Sequence, residues 1–313
     1  MKPHMSGREL TIRGPMANLC NIDGQLVPET EARVPVLDRG FLFGDSIYEV
    51  VRTHAGTPLA WTEHWARLQE SAAGLMMALD LDEATVARRV QETLEAAGHG
   101  DSYVRLVVTR GAGDAPNIDL AYATRPPCWV VMVRPLAGAL STGKPVHLGL
   151  VERLRNDRRA LDPASKSGNY LNNVLGLAEA RARGATDCVM LNSEGHVTEA
   201  STSNLFVRLD GVWCTPPLGA GILAGITRGM LLEFLPQAGE AVEERALTRD
   251  DLERAEELFL CSTLRDMSPV THLDGRAVGE GPSTKRLLPL FGEHLARRLE
   301  QRDAPHWRGL LGA

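Results

Sequence analysis

Short turns cut this chain into apolar pieces too brief and too closely spaced to be long helices. In NLCNIDGQLVP the apolar alternation folds back about Asp23-Gly24, and IYEVVRTHAGTPLAW repeats the pattern with Gly56 at the turn. Further on, Glu194-Gly195 and Asp210-Gly211 separate DCVMLN, HVTEA, NLFVRL and VWCTP. Each of these reads as a pair of strands joined by a hairpin, because glycine tolerates the turn conformation that matches strand twist. A hairpin joins antiparallel neighbours, whereas parallel strands need a crossover of a dozen residues or more. Strands outnumber crossover helices here. That argues against a regular parallel βαβ sheet and predicts an α+β chain of two mixed domains.

Helices fall between the strand groups. In TEHWARLQESAAGLMMAL, Trp65, Leu68, Ala72, Leu75 and Leu79 share one face, and Thr62 is the candidate N-cap. A second helix is expected at about 82–97, ending at Gly98. YVRLVVT and CWVVMV read as buried strands. RPLAGALSTGKP, residues 134–145, has Pro and Gly at both ends and little periodicity, and reads as a linker. The expected organisation is a loose arm at 1–17, a smaller domain at 18–133, that linker, and a larger domain at 146–313. The larger domain should hold a strand near 145–151, a long loop and a helix at 169–183 closed by Gly184. Helices at about 225–237, 248–255 and 283–301 should punctuate the strands ELFLCST and SPVTHL.

Composition narrows the function classes. At 313 residues the chain needs no disulfide or metal staple, and a net charge of −6 argues against a general nucleic-acid binder. Cys20, Cys128, Cys188, Cys214 and Cys261 are scattered without metal-ligand spacing, as buried thiols in a reducing cytoplasm would be. No stretch approaches the ~18 apolar residues of a membrane span, and the first twenty residues lack the apolar run of a signal peptide. The expectation is a cytoplasmic protein with small-molecule partners, no metal, no nucleic acid and no membrane. No GxGxxG follows a strand to open a helix, so nicotinamide binding has no support.

Lysine occurs only at 2, 144, 166 and 285 in this arginine-rich chain. Lys166, in LDPASKSGNYLNN, is either a surface loop lysine or an amine that forms an imine with an aldehyde. The second reading demands companions. An aldehyde cofactor with a pyridine ring and a phosphate needs a carboxylate at the ring nitrogen and donors for the phosphate. Glu199, near the end of a strand in VTEASTSNLF, is such a carboxylate or an ordinary edge-strand glutamate. GAGILAGITRGMLLEF opens a helix from a glycine-rich turn. The free N–H groups of Ile226 and Thr227, with the Thr227 hydroxyl, make an anion site or a plain helix cap. Arg67 in EHWARL faces either the solvent or the pocket.

Five ordered segments resemble the class IV, fold-type IV, pyridoxal-phosphate aminotransferases. That family contains branched-chain and D-amino-acid aminotransferases, aminodeoxychorismate lyases and some amine transaminases. The segments are DRGFLFGDSIYEVVRTHAGTPLAWTEHWARLQESA, KSGNYLNNVLGLAEARARGATDCVMLN, GHVTEASTSNLFV, GILAGITR and CSTLRDMSPVTHLDG, and the similarity covers roughly residues 18–300. The resemblance implies the fold-type IV architecture, pyridoxal 5′-phosphate as cofactor, and a homodimer with the site near the domain interface. It makes Lys166 the lysine that bonds the cofactor aldehyde and carries the proton between substrate Cα and cofactor C4′. Glu199 would pair with the pyridine nitrogen, and Tyr170 with the ring hydroxyl. Arg67 would grip the phosphate, with Ile226, Thr227 and Thr263 completing the cradle. Asn169 and Asn204 would be structural.

The substrate side is less uniform. Tyr103 and Arg105 form a Tyr-x-Arg arrangement that resembles branched-chain enzymes, and alternate along a strand as exposed residues also do. The Arg-x-His pair of D-amino-acid enzymes is missing from GAGDAPNIDL, yet GDSIYEVVR is closer to the D-amino-acid pattern than to FEGIR. Tyr48, Arg52, Leu264 and Arg265 are further candidate substrate contacts, with Arg110 beside them. Arg265 stands where many branched-chain members have a small residue. It binds a second carboxylate, blocks one, or turns away into an ion pair. The expected function is ping-pong transfer of an amino group between a small aliphatic, branched-chain-like amino acid and 2-oxoglutarate. The alternatives are a D-amino-acid aminotransferase with an unusual carboxylate site, and aminodeoxychorismate lyase.

Overall fold

The computed structural model describes residues 18–312, so the arm expected at 1–17 lies outside the described residues. A first hairpin, β1 (Leu19–Ile22) and β2 (Gln25–Pro28), leads to α1 (Arg39–Phe43), β3 (Ser46–His54) and β4 (Thr57–Pro58). Then come α2 (Trp61–Gly74), α3 (Glu83–Ala97), β5 (Ser102–Thr109) and β6 (Cys128–Pro135). These six strands form one antiparallel sheet in the order β2-β1-β6-β5-β3-β4. Both turn residues have positive φ at Asp23-Gly24 (51° and 90°) and at Ala55-Gly56 (47° and 78°), the primed turns that two-residue hairpins require.

Strand alternation decides which face of this sheet is covered. Ile47, Val51, Val104, Leu106, Val108, Val131 and Val133 point to a core closed by Leu68 and Ala72 of α2 and Val86, Val90 and Leu94 of α3. The opposite face, with Tyr48, Val50, Tyr103 and Arg105, forms a wall of the cavity described below. The helix expected at 82–97 is α3. The Asp82 carboxylate caps it by accepting from Thr85 N, and Gly98 closes it in the left-handed conformation. The start of α2 differs from expectation. Thr62 lies inside the helix, and the N-cap is Ala60 at φ 56°, which supplies no capping side chain.

Residues 136–145 carry no strand or helix. Beyond them lie β7 (Val146–Leu150), α4 (Leu171–Ala182), β8 (Asp187–Leu191), β9 (Val197–Ala200), β10 (Asn204–Leu209) and β11 (Val212–Thr215). They are followed by α5 (Ile226–Gln237), β12 (Val242–Glu244), α6 (Arg249–Glu253), β13 (Glu257–Cys261), β14 (Ser268–Leu273) and β15 (Arg276–Ala277). The chain ends with α7 (Pro282–Arg298), a π-helical turn (Leu299–Asp303) and α8 (Ala304–Leu311). The second sheet runs β12-β11-β10-β13-β14-β7-β8-β9, with β15 on β14. It is mixed: β7 pairs in parallel with β8 and β14, and β11 with β12, while the hairpin neighbours are antiparallel.

This second sheet curls, which is why its central strands are apolar on both faces. Leu205, Val207, Leu258 and Leu260 point to an inner cluster with Val146, Leu148 and Val189. Phe206 and Phe259 point outward and stack at 4.9 Å, packing with Phe234 of α5 and Phe291 of α7 in a second cluster. Burial of each such ring contributes about 1.5–3 kcal/mol. The π turn, α8, α1, β12 and β15 were not anticipated.

Candidate active site

The cavity lies where the open face of the first sheet meets the loops of the second, and encloses about 360 Å³. That size is within the ~300–1,000 Å³ of small-molecule sites. Lys166 enters it from the long loop between β7 and α4. Its place is fixed by main-chain groups: Lys166 N donates to Ser71 Oγ of α2 at 3.0 Å, and Lys166 O accepts from Tyr48 N at 3.0 Å. Gly168 N donates to Ser46 O at 2.7 Å, and a Cβ at Gly168 would collide with Ser46 Oγ. The Lys166 ammonium sits 3.3 Å from the Tyr170 hydroxyl and 4.4 Å from the centre of the Tyr48 ring. Burial, with Tyr170 alongside, pushes the Tyr48 phenol far above its ordinary pKa and keeps it protonated.

Glu199, on β9, is buried and fully solvated by protein donors. Arg155 gives Oε1 two bonds, from Nη2 at 2.9 Å and Nε at 3.2 Å, and Oε2 accepts from Asn204 Nδ2 at 3.2 Å and Leu223 N at 3.1 Å. Burial raises its pKa, against the pull of the Arg155 guanidinium and the Leu223 N–H. The carboxylate therefore binds a proton, or a protonated ring nitrogen, more tightly than an exposed glutamate would.

At the other end of the cavity, α5 begins at Gly225 with no side-chain cap, which leaves first-turn N–H groups free beside Ile226 and Thr227. A Cβ at Gly225 would run into Asn204 Oδ1. Thr263 and Ser203 line the same region, and Ser203 Oγ is buried without a hydrogen-bond partner. Arg67 reaches the cavity from α2. Its Nε and Nη2 bond Glu49 at 2.8 and 2.7 Å, and Nη1 donates to Ala224 O at 2.9 Å. His64 Nδ1 lies 2.7 Å from Glu49 Oε2. Burial lowers the His64 pKa despite Glu49, so the imidazole stays neutral and Arg67 balances the glutamate.

That buried pair makes stability depend on pH. Burial opposes the charge on Glu49, but Arg67 wins and holds its pKa down at about 2. The shift from an ordinary ~4.3 is worth on the order of 3 kcal/mol. Because the folded-state pKa is lowered, the contribution is complete above the unfolded pKa and is lost as pH falls toward the folded one. Urea denaturation should show Glu49→Gln less stable than wild type by about that amount at pH 7. The gap should shrink steadily below about pH 4; an equal gap at both ends of this range would contradict it.

Lys166, Arg67, Tyr170, Glu199, Ile226, Thr227 and Thr263 all line this one cavity, as do Tyr48, Tyr103, Arg105, Leu264 and Arg265. Arg52 does not; its guanidinium is bidentate on Asp266 at 2.6 and 3.0 Å. Arg110 is also elsewhere, bonded to Asp45 and to the carbonyls of Leu75 and Met76. Arg265 takes up the ion-pair option, with Nη2 2.8 Å from buried Asp187. Of the three lining arginines, Arg67 and Arg265 are thus neutralised. Arg105 has no ion-pair partner among the described residues, and its guanidinium stacks 4.1 Å over the Tyr48 ring. Asn169 donates to Gly44 O, and Asn204 to Leu223 O as well as to Glu199.

Sequence reasoning missed Glu49, His64 and Arg155. Glu49 could have been found, because it alternates with Ile47 and Val51 on the buried face of β3. A glutamate there needs a buried cation. Arg155 left no comparable signal in an aperiodic loop.

The family description "Amino-transferase class IV" matches residues 46–273. A provisionally named branched-chain-amino-acid aminotransferase of Methanocaldococcus jannaschii is 36% identical over 275 residues, covering 86% of this chain and 94% of that one. A D-alanine aminotransferase of Bacillus licheniformis is 34% identical over 268 residues, covering 85% and 93%. Among solved structures, a T.th. branched-chain amino acid aminotransferase complexed with N-(5′-phosphopyridoxyl)-L-glutamate has a TM-score of 0.82 at 28% identity, covering 95% of this chain and 98% of that one.

Proposed function

The chain belongs to the class IV aminotransferases, and from that premise we propose that it moves an amino group between a small aliphatic, branched-chain-like amino acid and 2-oxoglutarate. The cofactor of this family is pyridoxal 5′-phosphate, and the residues present fit it. Free N–H groups at α5, the unpartnered Ser203 hydroxyl and Arg67 suit a phosphate, while buried Glu199 suits a ring nitrogen. When bound, pyridoxal phosphate supplies the aldehyde that receives the amino group and the ring that accepts the electron pair of the Cα–H bond.

The chain's own residues do the rest. The Lys166 amine would hold the cofactor by its aldehyde carbon and, once released, would take the proton from substrate Cα and return it on the cofactor side. Glu199 would keep the ring nitrogen protonated, with Arg155 holding Glu199 in place. Tyr170 lies beside the amine, 3.3 Å from it. The single observation that carries the substrate reading is Arg105. As the lining arginine without a carboxylate, set on Tyr48 in a Tyr-x-Arg strand, it supports recognition of a substrate carboxylate in the branched-chain manner.

A D-amino-acid reading has its own support in the 34% identity to a D-alanine aminotransferase. Half-reactions with L-leucine, D-alanine and D-glutamate, followed by the cofactor absorbance, separate the two. Conversion by L-leucine, reversed by 2-oxoglutarate alone, is the expected result and would also establish two half-reactions on one site. Conversion by D-alanine only would replace it with the D-amino-acid reading. Pyruvate release from aminodeoxychorismate without an oxo acid would replace it with the lyase.

The assembly is proposed to be a homodimer. Support comes from Phe41 of α1 and Leu171 and Val174 of α4, exposed apolar residues of the kind a partner subunit would cover. No helix among the described residues is long and apolar enough to cross a membrane. Five free, buried cysteines support the proposed cytoplasmic location.

A further inference from the structure

The last fifteen residues of the described chain return to the first sheet's helices, and they do so at one point of the cavity's framework. Helix α7 belongs to the second core: Leu287, Phe291, Leu295 and Leu299 pack with α5 residues. Helix α8 belongs to the first core, where Trp307 packs edge-on against Trp61 at 4.9 Å. Between them the helix is interrupted by the π turn, and Asp303 closes that turn. Such insertions in a helix mark functional positions more often than chance.

Asp303 is buried, and its carboxylate faces the start of α2. Oδ2 accepts from Ala60 N at 3.1 Å, across 243 residues of chain. Ala60 is the N-cap of α2, holds a left-handed conformation at φ 56° and has no side chain able to cap. The backbone N–H of the N-cap residue, which in a capping box is taken by a carboxylate in the helix's own first turn, is taken here by Asp303, 243 residues along the chain. Arg298 joins the same clasp, with Nε 3.2 Å from Asp303 and Nη2 2.6 Å from Glu63 of the first turn of α2. Arg302 adds a second contact to Glu63 at 2.7 Å. Next to Glu63 on α2 stands His64, and one helical turn beyond Glu63 stands Arg67, the residues that meet Glu49 and the cavity.

We propose that Asp303 is a positioning residue for the cofactor's phosphate: by holding Ala60 N at the start of α2 and Arg298 against Glu63, it sets the place of Arg67 in the cavity. The proposal rests on the reading that Arg67 binds that phosphate. A helix start held by a remote carboxylate frays when the carboxylate is lost, and a guanidinium two turns in loses its support before residues nearer the helix's far end do. Phosphate recognition is sensitive to such a shift, because it depends on aligned N–H donors. The Lys166 loop is held by Ser71 near the far end of α2 and by Tyr48 N and Ser46 O of β3, so disorder that begins at the first turn of α2 reaches Arg67 before it reaches the imine chemistry.

The test compares two probes on the full-length chain freed of cofactor: pyridoxal 5′-phosphate and pyridoxal, which lacks the phosphate, each titrated by tryptophan fluorescence. In Asp303→Ala the ratio of the two affinities should fall about tenfold, the size of one weakened hydrogen bond to a charged phosphate, with pyridoxal binding within about twofold of wild type. Asp303→Asn, which keeps an acceptor for Ala60 N and loses the charge that holds Arg298, should fall between the two. If Asp303→Ala does not fold, Asp303→Asn and Glu63→Gln carry the same comparison. Weakening of both probes alike, or an unchanged ratio, would overturn the proposal. Arg67→Gln is the control for the reading beneath it. If its ratio does not fall, the phosphate assignment of Arg67 fails; if its ratio falls and those of the Asp303 variants do not, the positioning role alone fails.

Discussion

Lys166→Ala should lower kcat by at least about 10⁴-fold with every amino donor and acceptor pair. No other side chain can take over. Arginine stays protonated and forms imines poorly, and the Tyr170 phenol, 3.3 Å away, is not an amine. A second readout does not depend on turnover. Borohydride treatment of the wild-type holoenzyme should fix the cofactor to the peptide containing Lys166, and should leave the Ala variant unlabelled by mass spectrometry. The loss is expected to be chemical, with the fold intact, because the lysine loop is held by its main chain and not by the ammonium. Substantial residual turnover in a variant free of cofactor-independent background would refute the role given to this amine.

Arg105→Gln should reduce kcat/KM for amino acids by about 10²–10³-fold, the range for removing one partner of a buried charge pair. An amine of similar shape without a carboxylate should react nearly as well with the variant as with wild type. The contrast follows from the charge balance of the cavity. Arg67 is ion-paired with Glu49 and Arg265 with Asp187, while Arg105 has no carboxylate partner among the described residues and is held flat on Tyr48. Arg105→Lys should recover only part of the loss, since an ammonium cannot reproduce two parallel bonds to a carboxylate. An equal fall for the amino acid and the plain amine would show that Arg105 shapes the pocket and does not read the carboxylate.

Much of the fold could be read from turn chemistry. The residues at Asp23-Gly24 and Asp210-Gly211 have the paired positive φ that their sequences announce, and helix α3 begins and ends within a residue of expectation. The same logic applied to Asp274-Gly275 would have found β15, because its φ values of 47° and 77° repeat the signature. What stayed hidden depends on partners distant in sequence. Helix α8 buries Trp307 alone, too little for periodicity to show, and its docking on Trp61 exists only in the folded chain. The N-terminus of α2 was misplaced for the same reason: Thr62 looks like a cap, but the helix starts one residue earlier, at Trp61, where Ala60 N is held by Asp303. In the site, ordered motifs brought Lys166, Glu199, Arg67 and the α5 turn together in expectation. The pairing of Arg155 with Glu199 spans 44 residues and could not be read from either segment.

The way Lys166 is held has a bearing on divergence. The groups that fix it against β3 are largely amides and carbonyls, which every residue except proline supplies in full. A seam of that kind places few demands on side-chain identity at 46, 47, 165 and 167, apart from the Ser71 hydroxyl and the missing Cβ of Gly168. Relatives can therefore drift at these positions while the amine keeps its address. Likeness of fold outlives likeness of sequence here, since the seat of the reactive group is moulded in backbone.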